Sequence, residues 1–232
     1  MEMIVVAAGR GSRMGSEIKK QYLPLAGAPI LVRTLQTLSA CPLVDRVVLV
    51  VSPEDIEYVR GMVGEHEIDK IGDVVAGGPE RQDSVWQGLR ATLPNCTHVA
   101  IHDAARPLVS QDEIIAVIEA AMDGGAATLG VPVKDTIKRV KDGLVSETLE
   151  RASLWAVHTP QAFRRDWLEE AHRRSMQAGG HGTDDASLVE RAGYPVQMVQ
   201  GSYENLKITT PEDLLVAETL FQERLRKEQT HS

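Results

Sequence analysis

Val5-Val6-Ala7-Ala8-Gly9-Arg10-Gly11-Ser12-Arg13-Met14, followed by Lys19-Lys20-Gln21, is the stretch whose reading decides the fold. A short apolar run ends in a basic, glycine-containing loop close to the N-terminus. That is the layout of a first strand feeding a phosphate-holding loop, where glycine lets backbone N–H groups approach phosphate and Arg or Lys supplies the counter-charge. An ordinary structural turn after a strand has the same outline. Two familiar frames fail. Met14 stands where a dinucleotide fingerprint needs its third glycine, and the second strand candidate, Val47 to Val51, ends in Ser52 rather than an acid. No Gly-Lys-Ser/Thr follows, so the loop is not a Walker A loop either.

Working outward, strand and helix patterns alternate. Met3 to Ala8, Arg46 to Val51, Asp73 to Ala76, His98 to His102 and Ala126 to Val133 read as strands. Pro29 to Ala40, a segment starting at Ser52-Pro53-Glu54-Asp55, Glu80 to Leu93, and a segment from the capping box Ser110-x-x-Glu113 through Met122 read as helices. Apolar runs this continuous suit strands buried on both faces of a parallel sheet. The chain therefore reads as α/β with a doubly wound, mostly parallel sheet, which binds ligands at the strands' C-terminal ends.

After Val133 the rhythm breaks. Lys134 to Val140 and Leu144 to Leu149 flank Asp142-Gly143 and predict a polar β-hairpin. Such a hairpin is marginal alone, so it either sits on its own domain or projects and pairs with another subunit. The pattern then resumes with a helix over Arg164 to Ala178, a short helix capped by Thr183, strands at Val196 to Val199 and Asn205 to Ile208, and a last helix from Thr210.

Composition narrows the function. The 232 residues carry a net charge of −8, which argues against nucleic-acid or anionic-membrane partners but leaves room for a local basic pocket. Cys41 and Cys96 allow one disulfide and no framework, so a reducing compartment is the simpler reading. No apolar run reaches membrane-spanning length, and the N-terminus enters a strand without a targeting segment, so a cytoplasmic protein is expected.

Three further clusters could carry chemistry. Asp103, in His102-Asp103-Ala104-Ala105-Arg106-Pro107, falls just past an apolar strand, where a carboxylate suits Mg²⁺ or merely caps a turn. His102 reads as structural. In Gly77-Gly78-Pro79-Glu80-Arg81-Gln82-Asp83-Ser84, Gly78 would let a flat base or ribose approach and Ser84 could bond either; an ordinary helix start reads the same way. Lys207, inside Asn205-Leu206-Lys207-Ile208-Thr209, either has a phosphate as its partner or alternates outward to solvent.

Taken in register, these loops resemble the 2-C-methyl-D-erythritol 4-phosphate cytidylyltransferase family over nearly the whole chain. The resemblance also rests on Val133-Lys134-Asp135-Thr136, His158-Thr159-Pro160-Gln161 and Thr183-Asp184-Asp185-Ala186. It implies a Rossmann-like nucleotidyltransferase domain over 1–232 with a protruding dimerisation arm at about 134–152. It implies that CTP and the polyol phosphate are joined with release of pyrophosphate, in non-mevalonate isoprenoid precursor synthesis, with Mg²⁺ as cofactor.

The same resemblance assigns residues. Ala7, Ala8, Gly9, Gly11 and Ala104 would line the CTP site, and Gly78 and Ser84 would face cytosine and ribose. Asp103 would hold Mg²⁺. Arg13 and Lys20 would stabilise the triphosphate and the charge developing at its α-phosphorus, Lys207 would bridge towards the second substrate, and Arg106 and Thr159 would sit near that substrate. Thr136 and Arg151 would complete a partner's site in a homodimer joined by the hairpin. Lys19 departs from the proline the family often has there, and it could be mistaken for the functional lysine. A cytidylyltransferase for a pentitol phosphate such as ribitol 5-phosphate would have similar loops. A non-catalytic nucleotide-binding regulatory module and, more distantly, a nicotinamide-dependent oxidoreductase are the readings outside this chemistry.

Overall fold

Strands that are apolar on both faces need a helix layer on each side, and the chain builds both. The computed structural model describes residues 1–9, 18–180 and 182–231, with the backbone alone for 228–231. In chain order the elements are β1 (Glu2–Val6), β2 (Pro24–Leu25), β3 (Ala28–Pro29), α1 (Ile30–Ala40), β4 (Arg46–Val51), α2 (Ile56–Glu65), β5 (Ile71–Ala76), α3 (Arg81–Arg90), β6 (His98–Asp103), α4 (Gln111–Gly124), β7 (Ala126–Pro132), β8 (Lys138–Lys141), β9 (Leu144–Thr148), β10 (Trp155–Arg164), α5 (Arg165–Gln177), α6 (Asp185–Arg191), β11 (Gln197–Gln200) and α7 (Pro211–His231).

The main sheet has seven strands in the order β11-β7-β10-β6-β1-β4-β5. All run parallel except β10, which is antiparallel to both of its neighbours. The chain winds from β1 to β4 and β5, then returns to the other side of β1 with β6. That reversal opens a crevice at the C-terminal ends of β1 and β6. Register makes the placement specific, because Val6 lies opposite Asp103.

Side chains of β1 alternate between the two layers. Met3 and Val5 pack with Leu35 and Leu38 of α1 and Val117 and Ile118 of α4, whereas Ile4 packs with Val85 and Leu89 of α3. The α4 capping box forms as expected, Ser110 and Glu113 exchanging backbone bonds of 3.2 and 2.9 Å. The helix α7 instead covers the β2–β3 corner, where Ala217 joins Leu25, Ile30 and Ile208. The hairpin forms around Asp142 and Gly143, both at positive φ, as a separate exposed sheet. Cys41 and Cys96 are both free thiols, and no helix among the described residues is long and apolar enough to cross a membrane.

The expected elements need four corrections. Strand β10 is absent from the sequence reading because it carries Pro160 and polar residues in place of an apolar run; its register shifts between Val157 and Gln161, around that proline. Arg164 ends this strand rather than starting a helix. Asn205 to Ile208 is not a strand. Its carbonyls are taken by side chains, Arg106 on Asn205 and Lys20 on Ile208, in place of a ladder. Finally, Asp184 rather than Thr183 caps α6, its carboxylate accepting from the Ser187 N–H at 3.0 Å.

Close packing of α3 on the sheet fixes the crevice's second wall. A Cβ added at Gly88 would lie 2.4 Å from Cγ2 of Ile4 and 2.9 Å from Cγ2 of Val50. Helical Gly→Ala changes ordinarily stabilise. Here Gly88→Ala is expected to cost about 1–3 kcal/mol through overpacking. The measurement is the urea midpoint at unchanged m-value; a midpoint at or above wild type would show that α3 is free to shift.

Candidate active site

The crevice holds a cavity of about 180 Å³. Its floor is the chain leaving β1, Ala7, Ala8 and Gly9; its sides are Gly78, Arg81 and Ser84 from the β5–α3 turn, Asp103 and Ala104 from the end of β6, and Lys20 and Lys207. Local chemistry explains each wall. The Ala7 carbonyl is held by the buried Gln21 side chain at 2.9 Å and the Ala8 carbonyl by the Ser52 hydroxyl at 3.1 Å. Gly77 brings the two walls together, because a Cβ there would stand 2.6 Å from Cβ of Ala8 and 2.7 Å from Oγ of Ser84. The Gly78 N–H donates to Ser84 Oγ at 3.2 Å. At Gly9 a Cβ would meet none of the described residues within 4 Å.

Asp103 is the electrostatic centre. Lys207 Nζ lies 2.8 Å from its Oδ2, Arg106 Nε lies 3.6 Å from the same oxygen, and Arg81 Nε lies 3.6 Å from Oδ1. Burial works to raise the carboxyl's pKa, but Lys207, Arg81 and Arg106 outweigh it and hold it well below the usual carboxylate range. Lys207 therefore has a carboxylate for a partner in this structure, and is neither a strand residue nor one aimed simply at solvent.

A second row of residues orients the first. The fully buried His102 donates from Nε2 to the Arg106 carbonyl at 3.1 Å, leaving Nδ1 as acceptor for the Thr159 hydroxyl at 3.1 Å. That hydroxyl in turn accepts from the Asp103 N–H at 3.0 Å. Arg106 Nη1 donates to the Asn205 carbonyl at 2.6 Å, and the Asn205 amide donates to the Thr159 carbonyl at 3.0 Å. Arg106 and Thr159 thus stand behind Asp103, with their bonds turned inward.

The residue pattern and this geometry meet in the comparisons with known proteins. The family model described as 2-C-methyl-D-erythritol 4-phosphate cytidylyltransferase (IspD) matches residues 1–223. The chain belongs to this family. A cytidylyltransferase of that name from Pelotomaculum thermopropionicum is 53% identical over 223 residues, covering 95% of this chain and 94% of the relative. One from Symbiobacterium thermophilum is 49% identical over 228 residues, 98% and 95% of the two chains. Among solved structures, 4-diphosphocytidyl-2C-methyl-D-erythritol synthase from Anaerococcus prevotii superposes with a TM-score of 0.85 at 29% identity, covering 95% of each chain. The cytidylyltransferase from Thermus thermophilus gives 0.78 at 32% identity, over 94% of this chain and 98% of that one.

Against the residues the family resemblance assigns, the structure brings together Ala7, Ala8, Gly9, Lys20, Gly78, Ser84, Asp103, Ala104 and Lys207. Gly11 and Arg13 lie outside the described residues. Thr136 and Arg151 are exposed on the arm, away from this cavity, with Arg151 Nη1 donating to the Lys134 carbonyl at 2.7 Å. The neighbouring lysines separate cleanly. Lys19 is tied to Glu54 and Asp55 at 2.8 and 2.7 Å, whereas Lys20 reaches the Ile208 carbonyl at 3.1 Å and lines the cavity. Arg81 has no role in the sequence reading; its signal was Asp185, whose Oδ2 it meets at 2.7 Å from a distant segment.

His102 sets a pH dependence of stability. Burial lowers its pKa to about 4, so the folded chain keeps the imidazole neutral while the unfolded chain protonates near the ordinary value. Its contribution is intact above the unfolded value and is lost as pH falls from there towards the folded value, by roughly 1.4 kcal/mol per unit. His102→Gln is expected to be less stable than wild type at pH 7.5 but to lose less between pH 7.5 and pH 5. Urea midpoints at both pH values measure this, and equal losses in the two proteins would exclude His102 as the source.

Proposed function

We propose that the Asp103 cavity is where this nucleotidyltransferase joins CTP to 2-C-methyl-D-erythritol 4-phosphate, in isoprenoid precursor synthesis. The observation that carries the reading is the convergence of Lys20, Lys207, Arg81 and Asp103 over Ala7, Ala8 and Gly9 at the β1–β6 switch point. The phosphate oxygen of the polyol phosphate attacks the α-phosphorus of CTP in line. The P–O bond to the outgoing phosphates breaks, and pyrophosphate leaves with that electron pair. Both reactants are anions, so the residues' work is to offset repulsion and align the groups. That demand fits a basic pocket in an acidic chain, with no base needed to make the nucleophile.

The proposed roles follow the geometry. Ala7, Ala8, Gly9 and Ala104 contact the nucleotide, while Gly78 and Ser84 meet cytosine and ribose. Lys20 and Lys207, with Arg13 four residues beyond Gly9 in the sequence, neutralise the triphosphate as charge spreads. Arg106 and Thr159 support Asp103 from behind and act on the second substrate through it. Asp103 suits Mg²⁺, which takes few protein oxygens and the rest from phosphate and water. When bound, the ion would neutralise phosphate charge; Lys207 and Arg81 would then turn from Asp103 to the phosphates.

The reading extends to a homodimer. Leu144 and Val145 on the hairpin are 74% and 61% exposed, an apolar cost that a partner subunit would remove. Thr136 and Arg151 would then reach the partner's site, making 1–232 one catalytic unit with an arm at about 134–152. Free thiols at Cys41 and Cys96 fit a cytoplasmic enzyme.

Pyrophosphate release from CTP, Mg²⁺ and 2-C-methyl-D-erythritol 4-phosphate is the direct test, with ribitol 5-phosphate as the competing substrate; faster release with ribitol 5-phosphate would overturn the assignment. Lys20→Ala is expected to lower turnover roughly 10²–10³-fold with a much smaller change in CTP affinity. Arg151→Ala is expected to impair use of the polyol phosphate. Mixed dimers of Lys20→Ala and Arg151→Ala chains are expected to regain part of the activity, since one site per dimer is intact; verified mixed dimers with none would exclude shared sites.

A further inference from the structure

Arg81 is the first residue of α3 and Asp185 the first of α6, yet they meet at the edge of the cavity. The sheet fixes where α6 begins. Gln161 of β10 donates from Nε2 to Asp184 Oδ2 at 2.7 Å and accepts from the Ala186 N–H at 3.1 Å. Asp185 lies between those two anchors and is 1% exposed. Its Oδ2 takes the Arg81 Nη1 bond at 2.7 Å, and its Oδ1 lies 3.4 Å from Nε2 of His172 in α5. His172 is itself fully buried, stacked on Trp86 of α3 with ring centroids 5.9 Å apart.

A carboxylate buried this deeply is costly, and well-packed apolar residues often serve stability as well or better. What it gives in return is direction. Arg81 is held at one end by Asp185 and turns Nε towards Asp103 Oδ1 at 3.6 Å, too long for a hydrogen bond but close in charge. The guanidinium is thereby shared between two carboxylates instead of collapsing onto one. We propose that Asp185 is a positioning residue for nucleotide binding, holding Arg81 at the cavity's edge, and that Arg81 is a further residue that binds the triphosphate. Without Asp185, Arg81 is drawn onto Asp103, and both charges are withdrawn from the nucleotide. The proposal rests on reading the cavity as the CTP site.

The test is CTP affinity by calorimetry with Mg²⁺, alongside thermal melting, for full-length wild type, Arg81→Gln, Asp185→Asn, the double variant and Lys207→Ala. The single variants at Arg81 and Asp185 are expected to bind CTP about tenfold more weakly, the scale of one charge-assisted bond. The double variant is expected to be no weaker than Arg81→Gln, because Asp185 acts through Arg81. In assays, KM for CTP rises more than kcat falls. Wild-type affinity in folded Arg81→Gln overturns the proposal, and so do losses that add in the double variant, as a purely structural tie would give. Should Asp185→Asn fail to fold, Arg81→Lys decides, since an ammonium is too short and lacks the fork to span both carboxylates; wild-type affinity there also overturns the proposal. If Lys207→Ala weakens CTP binding and Arg81→Gln does not, only this proposal falls. If neither does, the reading of the cavity falls with it.

Discussion

One nearly buried carboxylate organises this protein's working end. Asp103 draws Lys207 and Arg81 from distant segments, and Arg106 from its own turn, to within 2.8 to 3.6 Å. Like charges do not gather unaided. With Asp103 among them, and Asp185 holding the far side of Arg81, their mutual repulsion is offset before any substrate arrives, and the field they present is set by folding rather than assembled during reaction. The same contact ties the Lys207 loop to the sheet, where no ladder holds it.

Behind the carboxylate the structure spends polar groups on orientation. His102, Thr159, Asn205 and Arg106 form a closed ring of bonds, while Arg106 Nε makes no hydrogen bond and faces Asp103 at 3.6 Å. Such an arrangement suits a reaction whose nucleophile needs no deprotonation. The protein has to hold two anions still and bring no proton shuttle to them.

How much of this was legible in the sequence depended on whether the signal was local. The strands β1, β4, β6 and β7 announced themselves as apolar runs, and the α4 cap and the Asp142-Gly143 turn as short motifs. Strand β10 did not, because Pro160 and its polar neighbours hide a strand whose pairing is supplied by β6 and β7 from elsewhere in the chain. Lys207 was read in a strand because its neighbours are apolar, but those neighbours pack under α7 instead. Lys19 and Lys20 are adjacent and chemically identical, and only the third dimension shows that acids of the β4–α2 turn claim the first. Asp185 sits in the Thr183-Asp184-Asp185-Ala186 motif, yet its ionic partner Arg81 is about a hundred residues away.

The floor of the cavity is built from Ala7, Ala8 and Gly9, which offer little beyond main chain, and its nearest wall is pinned by Gly77 with no room for a methyl group. Side chains can be exchanged one at a time, but a wall of peptide groups changes only when the path of the backbone changes. What that wall recognises is therefore inherited with the β1 and β5 turns themselves. Drift in surface residues leaves it untouched, whereas a one-residue insertion or deletion in either turn would redraw the whole face at once.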